Sequence, residues 1–131
     1  MYRYSSKSKT NLDTCHPRLQ DLFREVLKTY DHSILSGYRG EVEQNALCDA
    51  VPSKSGLRYP NSKHNTLPSN AVDVQPYPMK HVYDLIRFIG YVERTALNLG
   101  IKIRLGLDWD GDRDTSNNWV DAYHVEYCGE I

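Results

Sequence analysis

Apolar residues recur three and four positions apart in PRLQDLFREVLKTY, residues 17–30, where Leu19, Leu22, Phe23, Val26, Leu27 and Tyr30 form one stripe. That spacing predicts an amphipathic helix, and Pro17 suits its first turn, where a missing N–H costs nothing. A longer helix is expected from about Met79 to Leu99, with Val82, Leu85, Ile86, Ile89, Val92, Ala96 and Leu97 as its buried stripe. Gly100 stands where a left-handed residue would end it. EVEQNALCDAV, residues 41–51, reads as a shorter helix with Val42, Ala46 and Leu47 inward, stopped by Pro52.

Elsewhere the pattern alternates. In NAVDVQPY, Val72 and Val74 fall on one side and Asp73 and Gln75 on the other, as in a strand with one buried face. HSILSG and IKIRLG supply two more strands, and DAYHVEY a last one. In that last strand Ala122, His124 and Glu126 share a face, while Tyr123, Val125 and Tyr127 share the other. Helices packed on a small, mostly antiparallel sheet make an α+β fold. Residues 52–69 are rich in proline and serine and read as a long loop, of a length that usually signals function. MYRYSSKSKTN is basic and polar, so residues 1–11 are expected to be a flexible tail before a single domain at 12–131.

Composition narrows the picture by exclusion. A chain of 131 residues can build one core without disulfide support. Its net charge of −1 gives no footprint for nucleic acid. No stretch approaches the ~20 apolar residues of a membrane span, and the opening residues lack the apolar run of a secretory signal. The three cysteines form no CxxC pair, so buried free thiols are expected in place of a disulfide scaffold or a thiolate metal site. Nothing in the pattern demands more than a monomer.

The chemistry concentrates in SKHNTLPSNAVD and DAYH, which offer His64, Asp73, Asp121 and His124. Two imidazoles and one carboxylate are suitable ligands for a zinc ion that leaves a fourth position to water, and the remaining carboxylate can take that water's proton. Asp121 has the wrong parity to accompany His124 on a regular strand, so it must sit at an irregular strand entrance. Glu126 has the correct parity and is the rival base. His16, His32 and His81 stand at or next to the starts of elements and receive no chemistry. The Asp-rich DWDGDRD fails the EF-hand pattern, because the sixth position from Asp108 is Arg113 and the twelfth is Trp119. A solvated turn is expected there, with Trp109 in the core and Trp119 left open.

SKHNTLPSNAVD resembles the Ser-x-His and Ala-x-Asp signature of the D-alanyl-D-alanine (VanY-like) zinc peptidase superfamily, and DAYHVEY resembles its Asp-x-x-His ending. LDTCHPRLQDLF, SGYRGEVEQN and LGIKIRLGLDWDGDRD are similar to further blocks of its phage endolysin branch, the L-alanyl-D-glutamate peptidases. The resemblance runs from about Leu12 to Tyr127. It implies one catalytic zinc held by His64, Asp73 and His124, with Asp121 as general base and acid. It also implies a substrate-facing Arg39 and supporting roles for Ser62 and Gln44. Two departures stand out: LPSN lengthens the segment between His64 and Asp73, and Gly40 occupies a position where relatives often carry a hydroxyl. The implied substrate is the stem peptide of bacterial peptidoglycan. The enzyme would be made in the host cytoplasm and act on the wall. Two alternatives remain: a D-alanyl-D-alanine carboxypeptidase or dipeptidase, and a metal-binding wall-recognition module without turnover.

Overall fold

The computed structural model describes residues 1–116 and 120–131. Element order follows the apolar pattern closely. Helices α1 (Ser6–Asp13) and α2 (Pro17–Leu27) lead into strand β1 (His32–Ser36), then α3 (Glu41–Asp49) and a single 3-10 turn at Lys63–Asn65. Strand β2 (Ala71–Pro76), helix α4 (Val82–Leu99) and strands β3 (Ile101–Leu105) and β4 (His124–Glu130) complete the chain. The strands form one sheet in the order β1-β2-β4-β3, with every pairing antiparallel.

One face of this sheet makes the core. Ile34, Val72, Val74 and Val125 pack beneath Leu19, Leu22, Phe23 and Val26 of α2 and Leu85, Phe88, Ile89 and Val92 of α4. The other face carries Asp73, Gln75, Arg104, His124 and Glu126 toward a cleft. The alternation of β2 therefore divides apolar from chemical residues, as its sequence predicts. Gly100 ends α4 with φ 73°, and its N–H caps the last turn. Among the described residues, no helix is long and apolar enough to cross a membrane.

Several expectations are corrected. Residues 6–11 of the expected flexible tail belong to α1. Ser5 caps it, Leu12 and Ser8 are buried, and the Ser8 hydroxyl accepts the Ile34 N–H. Its core contact is too small to register as an apolar stripe. In α3 the inward residue is Gln44, while Val42 and Ala46 are exposed, because this helix leans on a polar network and not on the core. In α4, Phe88 is buried, whereas Val82 and Leu97 face solvent and Ile86 is at the border of exposure. The cysteines are free, but only Cys15 is buried; burial pushes its thiol up to about 12.

Candidate metal centre

Strand register brings the first two groups together. Asp73 of β2 lies directly opposite His124 of β4, so both side chains project from the same face. His64 arrives from the loop on the one-turn helix Lys63–Asn65. The Ser62 hydroxyl accepts the His64 N–H, and the Asn65 side chain accepts the Ser62 N–H. This capping box fixes a turn too short to be stable alone. After this turn Thr66, Leu67 and Pro68 are exposed, whereas Ser69 is buried.

His64 Nε2, Asp73 Oδ1 and His124 Nδ1 form a triangle with all three sides at 3.3 Å. Ligands about 2.05 Å from a tetrahedral zinc lie about 3.3 Å from one another, so the triangle matches one face of such a tetrahedron. The tautomers agree with that geometry. His64 Nδ1–H donates to Gly37 O at 2.7 Å and His124 Nε2–H donates to Glu126 Oε1 at 2.9 Å. The outward nitrogens are therefore committed, and the inward ones face Asp73. Such outer hydrogen bonds orient metal-binding imidazoles.

The electrostatics call for a cation at this point. Burial opposes a charged Asp73, yet hydrogen bonds with His124 and His64 outweigh it and hold the carboxyl well below its usual range. Burial also opposes a protonated His124. Its hydrogen bonds to Asp73 and Glu126 win, raising its pKa to about 9. Protons are thus retained where carboxylates converge, and a divalent ion would compete for the same positions.

The remaining expected residues surround this triangle. Asp121 precedes β4 in an irregular turn, where its Oδ1 accepts the Tyr123 N–H at 3.2 Å, and it lines the cleft beside His124. Burial and the Asp73 charge raise its pKa above the ordinary carboxylate value. The approach of this turn to β3 requires Gly106, since a Cβ there would lie 2.1 Å from the Asp121 carbonyl oxygen. Glu126, the rival base, is tied to His124 and to Arg104, whose Nε and Nη2 donate to it at 3.0 and 3.3 Å.

Arg39 lines the cleft but is buried, and its guanidinium is engaged. Nη2 donates to Asp73 Oδ2 and Nη1 to Gln44 Oε1, both at 3.2 Å. Gln44 is fully buried, accepts a further bond from Asn65 Nδ2, and donates to Ser55 Oγ and Leu57 O. The sequence reading missed Asn65, Gly37 and the Arg104–Glu126 pair. Only Asn65 carried a usable signal, as the third residue after a capping serine. Trp109 lines the cleft 5.2 Å from the His124 ring, with Arg104 above it, in place of the expected core position. Trp119 lies outside the described residues. Asp108, Asp110 and Asp112 gather carboxylate oxygens within 4.8 Å in a turn bonded to its own backbone.

Comparisons with known proteins identify the family. The chain is 32% identical over 137 residues to the L-alanyl-D-glutamate peptidase of Escherichia phage T5, covering 95% of this chain and 97% of that protein. The crystal structure of the Serratia marcescens L-Ala D-Glu endopeptidase ChiX superposes with a TM-score of 0.72 at 23% identity, over 98% of this chain and 90% of that one; this likeness concerns the fold. The family model described as phage L-alanyl-D-glutamate peptidase matches residues 1–128, and the chain belongs to that family.

Proposed function

We propose that this protein is a zinc-dependent endopeptidase that hydrolyses the L-alanyl–D-glutamate bond in peptidoglycan stem peptides. The observation that carries the reading is the equilateral 3.3 Å triangle of His64 Nε2, Asp73 Oδ1 and His124 Nδ1 at the floor of an open cleft. These three side chains would hold the ion. Zinc bound there would lower the pKa of a coordinated water toward ~7 and polarise the scissile carbonyl.

The chain's own groups account for the rest. Asp121, made more basic by burial and by Asp73, accepts the attacking water's proton and passes it to the leaving amine. Arg39, beside Asp73, places positive charge where the carbonyl oxygen becomes anionic and braces the carboxylate it touches. Ser62 holds the His64 turn, and Gln44 holds Arg39. Glu126 orients His124 and leaves proton transfer to Asp121. The family's phage association supports a reading in which the protein is made in the infected cell's cytoplasm and acts on the wall after the membrane opens.

Digestion of purified sacculi, with and without a chelator, tests this by mass spectrometry. Metal-dependent appearance of a new glutamate amine is the expected result. Release of D-alanine would indicate a carboxypeptidase instead. Sacculus binding without any released amine, in zinc-loaded protein, would leave only a recognition module.

A further inference from the structure

A glutamate joined to the next residue through one carboxyl group keeps the other free. The substrate proposed above therefore carries an anion within one residue of the bond to be cut. The protein has no overall positive field to attract it, since the net charge is −1. Recognition must be local, and the cleft contains the means.

Four basic residues line the cleft: Arg39, Lys54, Lys63 and Arg104. Both arginines are committed, Arg39 to Asp73 and Arg104 to Glu126. Lys54 and Lys63 are exposed, and among the described residues neither ammonium is paired with a carboxylate. Glu43 on the same wall is also unpaired with them. The two lysine backbones are anchored: Lys54 N–H donates to Leu47 O at 2.9 Å, and Lys63 O accepts the Asn70 N–H at 3.2 Å. Gln44 holds the adjoining loop through Ser55 and Leu57. Two exposed ammonium groups thus stand on segments anchored through their backbones, with Lys63 adjacent in sequence to His64. Asp121, Tyr123 and Trp109 come from the β3–β4 side of the cleft.

We propose that Lys54 and Lys63 bind the free carboxylate of the glutamyl residue beside the scissile bond, and so select an acidic stem peptide over its amidated counterpart. This rests on the peptidase reading and adds to it a determinant of specificity. Lysine suits the task because its compact charge on a flexible stem can follow a carboxylate without bidentate geometry.

The test uses two end-capped L-Ala-D-Glu peptides that differ only in whether the glutamyl residue's second carboxyl is free or a carboxamide. Zinc-loaded wild type should cleave the free acid with about tenfold higher kcat/KM, the scale expected of two partly exposed charge contacts. The K54M/K63M double variant should fall on the acid to within about twofold of the amide, with amide cleavage unchanged. Equal cleavage of both peptides by wild type would overturn the proposal. So would a variant that keeps the full preference, or one that loses amide cleavage equally. If zinc-loaded wild type cuts neither peptide, the peptidase reading itself fails and this inference falls with it.

Discussion

Glu126 and His124 share a hydrogen bond of 2.9 Å between Oε1 and Nε2, on residues two apart in one strand. The bond sets the ring so that Nδ1 meets His64 and Asp73, and Arg104 keeps the carboxylate in place from β3. A carboxylate that is nearly buried and doubly engaged is poorly placed to shuttle protons. Its proposed work is orientation.

That assignment separates two outcomes for Glu126→Ala. Zinc affinity should fall by about 10–100-fold, as when other outer partners of metal-binding histidines are removed. Turnover at saturating zinc should persist. Competition with a chromophoric chelator, alongside sacculus hydrolysis, measures both. Intact zinc affinity with no turnover would instead make Glu126 the base.

Asp121→Asn should give the opposite split. Zinc stoichiometry and affinity should match the wild type, while kcat falls by about 10²–10⁴-fold, the range for losing a positioned acid–base group. Asparagine retaining near wild-type turnover would remove Asp121 from the mechanism.

The convergence of His64, Asp73 and His124 was legible because each stands in a short motif, and because the alternation of Val72 and Val74 already assigns Asp73 to the open face. Gly100 was legible for a similar reason: a long apolar stripe needs an end. Hydrophobic spacing failed where polar contacts decide burial. Val42 looks like an inward residue until Gln44 is seen bonding to Arg39, Asn65, Ser55 and Leu57. α1 escaped notice because its contacts with the sheet use a serine hydroxyl and the Asn11 amide as well as Leu12. Glu126 had the correct parity, but only the structure shows that an arginine from the neighbouring strand holds it.

Gln44 joins the cleft wall to the candidate metal centre, through Ser55 and Leu57 on one side and Arg39, bonded to Asp73, on the other. Gln44→Leu keeps roughly the same volume and removes all of these bonds. The buried donors of Arg39 and Asn65 then lose an acceptor, and stability should drop by roughly 3 kcal/mol. KM should rise as the loop loosens, more than kcat falls. Chemical unfolding and steady-state kinetics read the two effects separately, and a variant as stable as wild type with unchanged KM would contradict the linkage.

His32 should make stability depend on pH in a way unrelated to the metal site. It is buried among Tyr4, Phe23 and Phe88, with Nδ1–H donating to Tyr30 O at 2.8 Å and the Tyr4 hydroxyl donating to Nε2. Burial lowers its pKa to about 4 from 6.5, only partly offset by the Tyr30 carbonyl and Asp31. Between these values the unfolded chain binds the proton and the folded one does not, so stability rises with pH across the window. The contribution is complete above the unfolded value and lost as pH falls toward the folded one. Wild type should therefore lose about 2–3 kcal/mol from this group between pH 7 and about pH 4.5. His32→Phe removes that titration while leaving every carboxylate in place. Urea unfolding of both proteins at the two pH values isolates it: the wild type should lose more stability on acidification than the variant, and equal losses would mean that His32 charges without cost in the folded protein.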